Sequence, residues 1–240
     1  MASIKSEELQ DNMLSTYFWL RGGIVFLSVA LPLILYFGGR FRADLPLLNS
    51  MSAYYGEDNG LMRNWFVGIL WSVGSFLVLY QGFSEVEDVL LNAAGGFAVG
   101  VAMIPCNCWN GAVGGSNKLH ALCAVAFFLC MAAVCVFCAE DTVNLLPDQK
   151  TKNAFKRQYR TIAILLVASP VVAIAASYTL DQNTSAKFFV EAVGVWVVAY
   201  YWWTKSREFR KTSAEKLAVH GKLENRRGVG LVRVEPAPQP

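Results

Sequence analysis

Four stretches of this chain run without a single charged side chain: Trp65–Tyr80, Val89–Pro105, Leu119–Ala139 and Thr161–Leu180. A helix on the surface of a water-soluble domain needs a polar face. A helix that is apolar all round needs an apolar surrounding, and about 17–25 such residues cross the roughly 30 Å of a bilayer's hydrocarbon. Two further apolar runs, Tyr17–Phe37 and Phe188–Trp203, carry one ionisable residue each, Arg21 and Glu191. Only 16% of the chain is charged, against about 25% in an ordinary soluble domain. The expected fold class is all-α: a polytopic integral membrane protein with a six-transmembrane-helix bundle. The spans are expected at Tyr17–Phe37, Trp65–Gly82, Val89–Pro105, Leu119–Ala139, Thr161–Tyr178 and Phe188–Trp203. The first sixteen residues are polar and mixed in charge, unlike a cleavable signal peptide.

Lys and Arg set the orientation of such a chain. With the N-terminus inside, fifteen of the 21 basic residues fall on the cytoplasmic side, nine of them between Lys205 and Arg233. The opposite orientation reverses that bias, so both termini are expected in the cytoplasm. The expected organisation is a cytoplasmic segment 1–16, a transmembrane domain 17–204 and a basic tail 205–240, disordered beyond about Arg226. The basic part of the tail has the composition to lie against anionic lipid, or simply obeys the topology rule. Aromatic residues mark the interfaces, with Tyr200, Tyr201, Trp202 and Trp203 closing the sixth span at headgroup level. The localisation is a membrane, the plasma membrane or, in a bacterium, the inner membrane.

Ionisable groups inside spans cost about 2.5–3.5 kcal/mol on insertion scales and are functional candidates by default. Glu191 sits about one turn inside the sixth span, and His120 opens the fourth. Arg63 precedes the second span and Cys106 ends the third. The first outer loop brings Ser50, Ser52, Tyr54, Tyr55, Glu57 and Asp58 to the same depth. The expected site is therefore an outward-facing polar pocket whose ligand-binding residues are Ser52, Tyr54, Tyr55, Arg63, His120 and Glu191. The competing reading is the ordinary polarity of helix ends. A second group on the cytoplasmic side, Arg21, Glu85, Glu87, Asp88 and Asn92, reads as structural, with Arg21 paired to one of those carboxylates. Gly68 with Ser72, and Gly96 with Gly100, have the four-residue spacing that lets helices approach closely.

Several chemistries lack their residues. Cys106-Asn107-Cys108 is too tight for a zinc pair, and His120 is the only further ligand nearby. Cys123, Cys130, Cys135 and Cys138 lie within the fourth span and read as small hydrophobes. No metal and no cofactor are expected. There is no Gly-x-Ser-x-Gly elbow and no phosphate-cradling glycine loop. The chain has two histidines, and His220 lies on the far side of the membrane from His120. A Ser52, His120 and Glu191 relay stays open, since such relays are defined by geometry. Spans two to five lack the polar stripe of a channel. Asn183-Thr184-Ser185 has the pattern of a glycosylation acceptor.

Four elements carry a family resemblance. Leu45-Pro46-Leu47-Leu48-Asn49-Ser50-Met51-Ser52 precedes the Gly-containing Phe66–Phe76 stretch; the fourth span opens Leu119-His120-Ala121; the sixth carries Glu191, Trp196 and then Tyr200-Tyr201-Trp202-Trp203. In these the chain resembles the DRAM/Frag/Sfk family of six-helix membrane proteins and uncharacterised bacterial relatives, over residues 17 to 210. The resemblance implies a lipid-facing or accessory role, since family members are linked to autophagy, lipid organisation and remodelling of lipid anchors. The leading expectation is a non-enzymatic membrane protein that binds a lipid or a partner through the outer pocket. The alternatives are a lipid-modifying enzyme using His120 and Glu191, and a small-solute transporter or channel. Expected partners are membrane lipids, a protein partner or a second copy of the chain, and no nucleic acid.

Overall fold

The computed structural model describes residues 2–56, 60–106, 118–179, 185–226 and 230–234. Its helices are α1 (Ala2–Arg42), α2 (Leu61–Leu79), α3 (Glu85–Met103), α4 (Lys118–Phe137), α5 (Ala139–Val143), α6 (Gln149–Thr179), α7 (Ala186–Thr212) and α8 (Ala214–Val219). A 3-10 turn covers Met51–Tyr55, and two strands, β1 (Leu223–Arg226) and β2 (Gly230–Arg233), pair antiparallel with Leu223 opposite Arg233. The second strand lies in the stretch expected to be disordered; alternation of Leu231 inward with Val232 outward gives it a pairing face.

Five helices are long and apolar enough to cross a membrane: α1, α2, α3, α4 continued through α5, and α6. Their outward faces are apolar too, with Phe26, Leu79, Val89, Leu122, Phe137, Ile164 and Val171 all more than half exposed. Apolar surface on this scale suits hydrocarbon rather than water. The sixth expected span lies in α7, which is not among the five. The reason is visible in its sequence: Lys187 and Glu191 at one end and Lys205 at the other leave only Ala192–Thr204 free of charge.

The long helices adjoin in a closed ring, in the order α1, α2, α3, α4, α6, α7 and back to α1. The ring has two ends. The loop end carries residues 43–56, and the tail end carries the 80–84 turn, α5, α8 and the β1–β2 pair. Halfway along, the interior is filled by apolar side chains such as Leu31, Ile69, Val73, Leu166 and Val198. A void of about 20 Å³ remains there, bordered by Ser28, Leu70 and Phe127.

The backbones of α2 and α3 approach closely at Gly74 and Gly95. A Cβ on Gly74 would stand 2.8 Å from the Gly95 carbonyl oxygen, and one on Gly95 would stand 2.6 Å from that of Gly74. The seam expected from spacing is different: Gly68 and Gly96 face open space, and Gly100 meets Cys123 of α4. Residue spacing identifies small residues but not which side of the helix faces a neighbour.

At the tail end the α2–α3 turn is fixed by the first turn of α3. Ser84 caps α3 by accepting the Glu87 N–H at 3.4 Å. Asp88 accepts the Gly82 N–H at 2.5 Å, and Glu87 accepts the Phe83 N–H at 2.9 Å. Carboxylates suit the positive end of a helix dipole, and here they also satisfy turn donors that would otherwise be buried alone.

Candidate functional site

The loop end gathers several of the residues expected to bind a ligand. Glu191 Oε2 accepts the Met51 N–H at 2.8 Å, beside Ser52, and its other oxygen lies 3.9 Å from Lys187. Phe188 N–H donates to the Asn49 carbonyl at 2.8 Å, and the Ser185 hydroxyl donates to the Leu47 carbonyl at 3.1 Å. Tyr54 is 1% exposed; its ring packs beneath Gly39 and against Phe188, and its hydroxyl accepts the Leu48 N–H at 3.4 Å. The Arg63 guanidinium lies over the Tyr55 ring at 5.9 Å. His120 Nδ1 donates to the Ile104 carbonyl at 2.6 Å, closing the end of α3.

These groups serve the backbone. Glu191 and Tyr54 pin the irregular 43–56 segment onto the start of α7, and His120 satisfies a helix-terminal carbonyl that lacks an intrahelical partner. Among the described residues, His120 and Glu191 share no hydrogen bond or ion pair, and no relay links them to the Ser52 hydroxyl. Cys106 is disulfide-bonded and lies 3.7 Å from the Ser52 carbonyl, whereas Cys123, Cys130, Cys135 and Cys138 are free thiols. Glu57, Asp58, Cys108, Asn183 and Thr184 lie outside the described residues.

The tail end is built differently. Lys205 and Glu208 of α7 and Glu87 of α3 are each no more than 1% exposed, at the centre of the ring. Lys205 Nζ lies 3.9 Å from Glu87 Oε1 and donates to the Thr142 hydroxyl of α5 at 3.0 Å. Its ammonium also sits 4.9 Å from the Phe209 ring centre and 5.9 Å from that of Tyr159. The Tyr159 hydroxyl of α6 donates to Glu208 Oε2. An aromatic series, half-buried Tyr17 and then buried Tyr80, Trp202, Tyr201 and Tyr159, crosses the ring beside these groups, with successive ring centres 4.9–6.0 Å apart.

The expectations for this end change. Arg21 pairs with none of the α3 carboxylates. Its guanidinium makes a two-pronged pair with Glu215 of α8, and its Nε donates to the Ser206 hydroxyl at 3.2 Å. Glu87 and Asp88 are already committed to the 80–84 turn and to Lys205, and Glu85 is exposed. α7 runs without a break through the expected 204/205 boundary to Thr212, with Lys205, Glu208, Phe209 and Thr212 buried. The aromatic belt closing the sixth span is split: Tyr200 and Trp203 face outward, while Tyr201 and Trp202 are inside.

Beside the buried group lies a cleft of about 280 Å³ between the start of α1, the end of α7 and α8. Its floor is the Arg21–Glu215 pair with Arg21 stacked over Phe209 at 5.0 Å. Leu14 and Phe18 make an apolar wall, and Arg210, Lys216, Ser206 and Ser213 supply polar groups. Ser213 is left-handed (φ 54°), which turns the chain sharply from α7 into α8 and creates the recess. Lys205-x-x-Glu208 was the available signal for this end: an acid one turn from a base on a helix that has just left an aromatic run. No group of three or more His, Cys, Asp and Glu side chains among the described residues is arranged for a metal ion. No protein family, curated protein sequence or solved structure matches the chain.

Proposed function

We propose that this is a six-span membrane protein with both termini in the cytoplasm, and that it binds an anionic lipid headgroup in the cleft between α1, α7 and α8. The observation that carries the reading is the charge of that cleft. Its floor is a neutralised Arg21–Glu215 pair, while Arg210 and Lys216 at its mouth make no ion pair among the described residues. Basic recesses between membrane helices on the cytoplasmic side suit phosphate headgroups. The hydroxyls of Ser206 and Ser213 add donors, and Leu14 and Phe18 offer an apolar surface to an acyl chain.

The orientation is supported by the basic-residue bias, and α7 counts as the sixth span because it closes the ring with α1 and α6. The lipid-binding role expected at the loop end is assigned to the tail end instead, since Glu191, Tyr54 and His120 spend their polar groups on the backbone. The likeness to the DRAM/Frag/Sfk family points to the same lipid-associated class and rests on its short motifs alone.

The test is binding of phosphatidylglycerol and phosphatidylcholine to the detergent-purified full chain, followed by native mass spectrometry. Phosphatidylglycerol should be retained preferentially. Basic residues near an anionic lipid surface contribute about 1 kcal/mol each, so Arg210→Ala with Lys216→Ala should weaken that preference by about thirtyfold. Equal retention of the two lipids, or an unchanged preference in the double variant, refutes the assignment.

A further inference from the structure

The buried group at the tail end does not balance in charge. One ammonium, Lys205, faces two carboxyl groups, Glu87 and Glu208, all of them at most 1% exposed. Asp141 of α5 is also close enough to act on Lys205, but it is only half-buried and water screens it. Arg21 does not make up the difference, because Glu215 neutralises it. The other titratable groups facing the cluster are Tyr80 at the end of α2, Cys135 and Cys138 of α4 and its end, Tyr159 of α6 and Tyr201 of α7. All are uncharged in their ordinary neutral-pH form. A surplus carboxylate removed from water is strongly disfavoured, so the cluster needs one more positive charge.

The two carboxyl groups are not equivalent. Glu87 sits in the first turn of α3, at the positive end of the helix dipole, accepts the Phe83 N–H and lies 3.9 Å from Lys205 Nζ. Glu208 sits near the C-terminal, negative end of α7. Its Oε2 receives the Tyr159 hydroxyl, Thr142 also hydrogen-bonds to the carboxyl group, and its Oε1, like that of Glu87, is buried with no partner of ordinary geometry. Glu87 is the carboxyl group within ion-pair distance of Lys205 and at a helix N-terminus, so Glu208 is the one placed to carry the balancing proton. The donor set is too small for a metal ion among the described residues. A proton is the occupant that needs no further ligands.

We propose that Glu208 is a proton-binding site, holding one exchangeable proton at neutral pH while Glu87 pairs with Lys205. Release breaks the carboxyl O–H bond, passes the proton to water, and leaves a carboxylate that still accepts from Tyr159.

Infrared spectroscopy of the full chain in lipid nanodiscs, in H₂O and D₂O, tests this directly. The unmodified chain should show a protonated-carboxyl band at neutral pH that shifts in D₂O and disappears as pH rises. Glu208→Gln should remove the band, and Glu87→Gln should leave it. Should Glu208→Gln fail to fold, Tyr159→Phe, which removes the hydroxyl donated to Glu208, should shift the band frequency. Absence of the band at neutral pH, its survival in Glu208→Gln, or an unshifted band in Tyr159→Phe overturns the proposal. So does loss of the band on adding sodium at constant pH, which would make the site one for a metal cation.

Discussion

The two ends of the ring handle polar side chains in opposite ways. At the loop end Glu191 and His120 are each matched to a backbone atom: Glu191 to Met51 N–H, His120 to the Ile104 carbonyl. At the tail end side chains from α3, α5, α6 and α7 are matched mainly to one another, and the match leaves a carboxyl group over. A polar group that satisfies a backbone atom is in part committed to holding the fold. A polar cluster with surplus charge has a bond still to make, and that makes the tail end the better place to look for function.

The sharpest way to break this contrast is to remove Lys205. Lys205→Met strands Glu87 as a buried, unpaired charge, and losing one partner of such a pair costs about 3–5 kcal/mol. Thermal unfolding in detergent should show a large loss for Lys205→Met and substantial recovery when Glu87→Gln is added. If the double variant is no more stable than the single, the two side chains are not coupled and the tail end is no different from the loop end. A smaller effect is expected at Glu191. Glu191→Ala removes a charge-assisted hydrogen bond worth about 1.5–3 kcal/mol, freeing the 43–56 segment. Proteolysis within that segment should speed up while the tail-end Tyr159–Glu208 contact is unaffected. Unchanged cleavage would remove the strut role given to the loop end.

The smallest effect is expected at Asp148, outside the membrane helices. Its carboxylate caps α6 by accepting from the Thr151 hydroxyl at 2.8 Å, the Thr151 N–H at 2.9 Å and the Lys150 N–H at 3.2 Å. Those bonds hold its pKa below the ordinary carboxylate value. A depressed folded-state pKa stabilises the fold above the unfolded value, and that stability is lost as pH falls through the folded one. Asp148→Ala should therefore flatten the acid limb of the stability profile slightly. A profile identical to the parent's would show that the cap contributes nothing.

Much of the fold was legible in the sequence because absence of charge over a span is a one-dimensional property. The stretches Val89–Pro105, Leu119–Ala139 and Thr161–Leu180 fall on α3, α4 continued into α5, and α6. What a side chain faces is not one-dimensional. Glu191 stands out as an acid inside an apolar run, yet nothing in its neighbours says that it meets Met51 N–H, 140 residues away. Lys205 was hidden by its company, since a basic residue at the start of a basic tail is already explained by topology. Tyr200 and Tyr201 are chemically identical and adjacent, and only the ring's geometry puts one outside and the other within. The same holds for Gly95 and Gly96, of which the first touches α2 and the second touches nothing.

The ring closes through its last long helix, and on the six-span reading that has a consequence for how the protein is made. Chains emerge N-terminal end first, so α1 to α6 are present before α7. Until α7 arrives, Glu87 has no ammonium beside it and Met51 N–H has no acceptor from Glu191. The helix that supplies both is also the one least able to enter hydrocarbon by its own composition. Its insertion thus depends on docking to helices already in place, and a chain cut short before α7 would carry an open ring with a bare acid in it: a built-in mark of an unfinished molecule.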